Sequence, residues 1–185
     1  MCEIITITGG ARSGKSMYAE RLAADESNVL YIATATICDE EMAERVNYHR
    51  NNRPENWITW ERHHELKDIE TEFENDAFDT IMLDCVGNLL MGILYEEVPD
   101  EDKFTTEDFE LVVQKTVAEI NSLCHFAGQQ QKRLIFVTNE IGMGVVPETR
   151  YARYFRDALG HINKHVGRLS DTVVLMVAGI PVTIK

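Results

Sequence analysis

Short runs of apolar and β-branched residues recur along the chain at residues 2–8, 28–34, 58–61, 80–84, 134–138 and 172–177, each long enough for one strand. Between them, apolar positions return at helical spacing, which predicts helices over residues 15–24, 40–50, 65–73, 86–95, 106–126 and 149–168. Strand and helix alternating in this way imply βαβ units and a mostly parallel sheet covered on both faces. The rhythm changes at the end. Ala178-Gly179 leads straight into Ile180-Pro181-Val182-Thr183-Ile184, too little chain for a crossover helix. The last strand is therefore expected to return as an antiparallel hairpin at a sheet edge, where Pro181 is tolerated. In such a sheet ligands bind beyond the carboxyl ends of the strands.

The first of those ends carries the most specific pattern. Ile4 to Thr8 feeds into Gly9-Gly10-Ala11-Arg12-Ser13-Gly14-Lys15-Ser16, followed by a helical pattern. This is G-x-x-x-x-G-K-S, a phosphate-binding loop between strand and helix. The glycines let successive N–H groups converge on an anion at a positive helix end. Lys15 would reach the β- and γ-phosphates, and the Ser16 hydroxyl would hold Mg²⁺. GTP or ATP is the expected ligand. The predicted architecture is an α/β, P-loop (RecA-like) three-layer domain, and residues 1–185 read as a single nucleotide-binding catalytic domain. Its sheet is mostly parallel, with the antiparallel C-terminal edge hairpin.

Composition narrows the partners. The chain has 185 residues, 44% of them hydrophobic, and 18 basic against 31 acidic residues give a formal net charge of −13. That balance disfavours nucleic acid and anionic membranes, so a phosphate ligand must be met locally. Cys2, Cys38, Cys85 and Cys124 are widely spaced, with no C-x-x-C pair, which indicates neither a disulfide framework nor a cysteine-based zinc site. A reducing cytoplasm is expected. No basic flank, secretory apolar segment or long apolar span is evident, so neither secretion nor membrane insertion is expected.

Other constellations are less specific. Thr80 to Leu83 ending in Asp84 has the form of a Walker B strand, whose carboxylate orients Mg²⁺, although a terminal Asp also caps ordinary turns. On the helix expected over 40–50, Arg45 and His49 align four residues apart, with Arg53 just beyond. Pro54 pushes Arg53 out of helical geometry. Periodicity alone favours a solvated face there, with Glu41 pairing Arg45. His63 and His64 follow a strand, and His125, His161 and His165 lie in helical segments; solvated surface is the better reading of these too. Residues 138–148, Thr-Asn-Glu-Ile-Gly-Met-Gly-Val-Val-Pro-Glu, describe a shaped loop at the ligand edge, in which Asn139 and Glu140 are candidates to meet nucleotide or substrate.

Together these segments resemble the bifunctional adenosylcobinamide kinase/adenosylcobinamide-phosphate guanylyltransferase family of cobalamin biosynthesis, over nearly the whole chain. The resemblance is carried by the 8–16 loop, Tyr31-Ile32-Ala33-Thr34, Asp39-Glu40-Glu41-Met42, Arg45-Val46-Asn47-Tyr48-His49-Arg50 and Arg53-Pro54. The 138–148 loop, Phe155-Arg156-Asp157 and the tail from Val177 to Lys185 complete it. It implies that His49 is the histidine that becomes guanylylated, that Arg45, Arg53 and Glu140 join the loop in binding nucleotide, and that Ser16 and Asp84 serve the metal. It further implies adenosylcobinamide as co-substrate and a homo-oligomer, a trimer. A P-loop small-molecule kinase without nucleotidyl transfer is the alternative; a nucleotide-controlled assembly protein is a more distant one, since no basic strand-binding surface is present.

Overall fold

The computed structural model describes residues 2–24, 28–36, 40, 44, 53–73, 78–98 and 103–185. Seven strands, β1 (Ile4–Gly9), β2 (Val29–Ala33), β3 (Ile58–Glu61), β4 (Thr80–Asp84), β5 (Arg133–Val137), β6 (Thr172–Val177) and β7 (Ile180–Thr183), form one sheet in the order β3-β2-β4-β5-β1-β6-β7. Every pairing is parallel except β6 with β7, where Val177 faces Ile180 and Met176 faces Pro181. The expected edge hairpin is therefore present, turned by Ala178 and Gly179, both at positive φ.

The central strands β2, β4 and β5 are apolar at successive positions because both faces of the sheet are buried there. Ile5, Ile7, Val29, Tyr31, Met82, Ile135, Val137 and Val174 pack on one face with Ala19 and Ala23 of α1 (Lys15–Ala24). Leu30, Ile32, Ile81, Leu83, Leu134 and Phe136 point the other way, toward α3 (Val86–Glu97), α4 (Thr106–Gln129) and α5 (Arg150–Leu169). Leu89, Ile120, Leu123 and Ile162 are fully enclosed on that side. Truncating any one of them to alanine is expected to cost about 2–5 kcal/mol.

Helix ends follow local chemistry. Thr105 and Asp108 form a reciprocal capping box at the start of α4, and the Thr149 hydroxyl accepts from the Ala152 N–H at the start of α5. The helix expected over 65–73 is divided into a 3₁₀ turn, Leu66–Asp68, and a short α2, Ile69–Glu72. The cause is Glu65, which is left-handed at φ 54°; its N–H and that of Leu66 both donate to the Glu119 carboxylate of α4. Of the helix expected over 40–50, the described positions Glu40 and Glu44 are helical and exposed.

Candidate functional site

At the carboxyl end of β1 the backbone turns sharply at Gly9, where φ is +151°. A methyl group there would lie 2.5 Å from the Met176 carbonyl oxygen and 2.9 Å from Ser13 Oγ, so no side chain fits. Gly14, at φ +94°, reverses the chain into α1 and is favoured by conformation rather than by space. Between them Arg12 is also left-handed, at φ 56°, and the Ser13 N–H donates to Gly10 O at 3.3 Å. The Ser13 carbonyl accepts from the Gly179 N–H at 3.1 Å, tying the loop to the β6–β7 turn. Ser13 Oγ is buried, with no hydrogen-bond partner among the described residues. An orphaned hydroxyl in a glycine-rich loop that opens a helix is suited to an anion.

Lys15 is only 8% exposed, and its ammonium donates to Gly10 O at 2.6 Å. Burial draws its pKa below the ordinary lysine value, while Cys85 and Asp84 oppose that shift. Lys15 is thus close to the end of β4, which places its ammonium and the Asp84 carboxylate in one electrostatic neighbourhood. Ser16 follows in the first turn of α1, half-buried.

Asp84 is fixed from the neighbouring strand, where the Tyr31 hydroxyl donates to its Oδ2 at 2.8 Å. Burial first, and Asp84 second, raise the Tyr31 pKa far above the usual phenol, so Tyr31 acts purely as a donor. The guanidinium of Arg53 lies over the Tyr31 ring at 3.5 Å from its centroid and donates to Thr59 Oγ1 at 3.2 Å. Arg53, held to β3 through Thr59, Tyr31 of β2 and Asp84 at the end of β4 are therefore linked in one chain of contacts. Thr34 clamps the turn that follows: Cys85 N–H donates to its Oγ1 at 2.8 Å, and that hydroxyl donates to Cys85 O at 2.7 Å. The Cys85 thiol, enclosed and beside Asp84, is pushed up to about 12 and stays protonated.

Glu140 reaches the cradle by its backbone, its N–H donating to Gly9 O at 2.9 Å. Its carboxylate accepts from the Gly142 N–H and borders a groove of about 400 Å³ with Thr8, Thr138, Asn163 and Lys164. Asn163 of α5 pins this strand end, accepting from Thr138 Oγ1 at 2.6 Å and donating to Asn139 O at 2.9 Å. Gly9, Gly10, Ala11, Arg12, Ser13, Gly14, Lys15 and Ser16 thus form one loop and helix start, with Asp84 at the end of β4 and Glu140 just after β5 brought to it. Arg45 and His49 lie outside the described residues.

Tyr31, Thr34 and Asn163 had no functional reading from residue type or spacing, because Tyr31 looks like core, Thr34 like strand and Asn163 like a solvated helix position.

The model of cobinamide kinase / cobinamide phosphate guanyltransferase matches residues 5–184. The chain belongs to this enzyme family. The bifunctional adenosylcobalamin biosynthesis protein CobU of Escherichia coli strain K12 is 42% identical over 182 residues, covering 98% of this chain and 99% of its own. The protein of the same name from Salmonella typhimurium is 39% identical over 182 residues, with the same coverage, and bifunctional adenosylcobalamin biosynthesis protein CobP of Pseudomonas aeruginosa is 35% identical over 180 residues, covering 97% and 95%. Among solved structures, an ATPase from the type III secretion system of pathogenic bacteria superposes with a TM-score of 0.56 at 10% identity. It covers 95% of this chain and 52% of its own, a likeness of fold alone. Among the described residues, no helix is long and apolar enough to cross a membrane.

Proposed function

We propose that this protein phosphorylates adenosylcobinamide with a nucleoside triphosphate and then transfers GMP from GTP to adenosylcobinamide phosphate, giving adenosylcobinamide-GDP. The observation that carries this reading is the ordered phosphate cradle, with Lys15 buried beside Asp84, in a chain that matches the family from residue 5 to residue 184.

In the kinase step the terminal phosphates lie in the Gly9–Gly14 nest. Lys15 exchanges its bond to Gly10 O for phosphate oxygens and offsets charge that grows as the γ-phosphoryl group departs. The aminopropanol hydroxyl attacks the γ-phosphorus, the β–γ bridging bond breaks, and the nucleoside diphosphate leaves. Ser16 and Asp84 would hold Mg²⁺: a hydroxyl and a half-buried carboxylate are the hard oxygen donors it takes, and Tyr31 orients the carboxylate. Bound there, the ion would neutralise phosphate charge.

For the second step we assign His49 as nucleophile. Its neutral imidazole attacks the α-phosphorus of GTP, the α–β bridging bond breaks, and pyrophosphate departs. A phosphate oxygen of adenosylcobinamide phosphate then attacks the same phosphorus, the P–N bond breaks, and the imidazole is regenerated. Arg45 and Arg53 are assigned to the charge on the transferring phosphate. The chain is taken to act as a single cytoplasmic domain assembled into a homo-oligomer, a trimer by the resemblance. The row Ile180 and Val182 on the edge strand and Ile184 just past it, 44–64% exposed, supports assembly.

The test is to supply adenosylcobinamide, GTP and Mg²⁺ and identify products by mass. Adenosylcobinamide phosphate followed by adenosylcobinamide-GDP and pyrophosphate is expected. Phosphate alone, with no GDP adduct on prolonged turnover, would reduce the protein to a small-molecule kinase.

A further inference from the structure

We propose that His63, His64 and Glu96 form a binding site for a transition-metal dication of the Zn²⁺ type, separate from the nucleotide site. The two histidines occupy the short connection after β3, and Glu96 lies in the last turn of α3. What brings them together is Gly92, one helical turn before Glu96 on the same face of α3. A Cβ at Gly92 would stand 2.9 Å from His63 Cβ and 3.1 Å from its Cδ2, so only glycine lets that imidazole lie against the helix.

The result is a convergence of donor atoms. His64 Nε2 is 3.2 Å from Glu96 Oε1, and His63 Nε2 is 3.6 Å from the same oxygen. The two rings are tilted, with centroids 4.7 Å apart, and one ligand atom from each of the three residues lies within 4.8 Å of the others. Tetrahedral Zn²⁺ with bonds of about 2.0–2.1 Å separates its donors by about 3.3 Å. Both histidine–glutamate spacings are close to that value.

Surrounding groups suit a metal as well. Glu65 Oε2 is 3.8 Å from His64 Nδ1, on the side of the ring away from Glu96, where a carboxylate would take the Nδ1 proton in a hydrogen bond and keep Nε2 free as ligand. Glu65 itself is held by Arg62 at 3.7 Å, and Arg62 is anchored by Glu72 and Asp68. The ligand side chains are 34–44% exposed, leaving access for the ion and for a water in the fourth position. Two imidazoles and one carboxylate select Zn²⁺, Co²⁺ or Ni²⁺ over Mg²⁺, which keeps the site distinct from the metal of the nucleotide. Occupied, it would clasp the exit of β3 to the end of α3, the helix that begins beside Asp84.

The full-length protein, stripped with chelator, is titrated with Zn²⁺ alone by calorimetry and with Co²⁺ alone by visible absorption. One equivalent is expected, with the ligand-field bands of four-coordinate Co²⁺ and a rise in melting temperature on adding Zn²⁺. His64→Ala and Glu96→Gln, each shown by circular dichroism to be folded, should weaken that equivalent at least 10-fold and abolish the bands, with GTP affinity unchanged. His161→Ala and His165→Ala should leave it intact. Absence of a stoichiometric equivalent, or equal affinity in His64→Ala, Glu96→Gln and the native chain, would overturn the proposal. GTP binding and product formation report on the nucleotide site separately.

Discussion

At Gly9 the chain is held by its backbone: φ is +151°, and the Met176 carbonyl stands where a side chain would begin. At Asp84, two strands away in the sheet, the control comes from side chains. The carboxylate takes its orientation from Tyr31, Tyr31 carries Arg53 on its ring, and Thr34 clamps the next residue. The cradle therefore tolerates almost no change at Gly9 but is indifferent to many neighbours, whereas the Asp84 side can be weakened in steps. A phosphate needs a fixed concave surface. A carboxylate needs only a direction, which a hydrogen bond can set.

Lys15→Ala breaks the comparison most severely, because it removes the charge that links the two sides. Phosphoryl transfer should fall about 10²–10³-fold in steady-state assays. Thermal stability should not fall, since burial already disfavours the ammonium in the folded protein. The same depressed pKa makes its sign testable: between the lowered folded value and the ordinary value the unfolded chain binds more protons, so native stability gains with rising pH there, a gain absent from Lys15→Ala.

Gly9→Ala tests the backbone side and should cost about 1–3 kcal/mol in denaturant melts. Gly10→Ala, with no atom within 4 Å of its added methyl, should stay within about 0.5 kcal/mol of the native chain. Equal losses would erase the distinction drawn for Gly9. On the side-chain side, Tyr31→Phe removes one hydrogen bond from Asp84 and keeps the ring under Arg53. A loss of about 10-fold in kcat at saturating Mg²⁺, with stability lowered by about 1 kcal/mol, is expected. Unchanged kcat would detach Tyr31 from the site.

The smallest effect lies outside the site, at the capping box of α4. Hydrogen bonds from the Thr105 hydroxyl and N–H hold the Asp108 carboxyl below the ordinary aspartate value. Its contribution is present above that ordinary value and is lost as pH falls through the lowered folded one. Asp108→Asn should flatten that acid limb of the urea midpoint and leave the neutral-pH activity alone.

Much of this was legible in the chain because it is local. Strand periodicity, the loop from Gly9 to Ser16, the Asp at the end of β4 and the forced return at Ala178-Gly179 each depend on neighbours in sequence. The Tyr31–Asp84 bond, the Asn163 pin on Thr138 and the packing of His63 on Gly92 do not. They join residues 25 and 53 positions apart or, for His63 and Gly92, a loop to a helix, and nothing in residue type announces the pairing. The division of the 65–73 segment was hidden for the same reason, since the carboxylate that causes it comes from α4.

The covalent route through His49 is tested by GTP labelled at the α-phosphate, incubated with the native enzyme and with His49→Ala. Acid-labile, base-stable label is expected on the native protein, mapping to His49 and chased by adenosylcobinamide phosphate, and none on the variant. A native enzyme that forms adenosylcobinamide-GDP while remaining unlabelled, or a labelled His49→Ala, would contradict it.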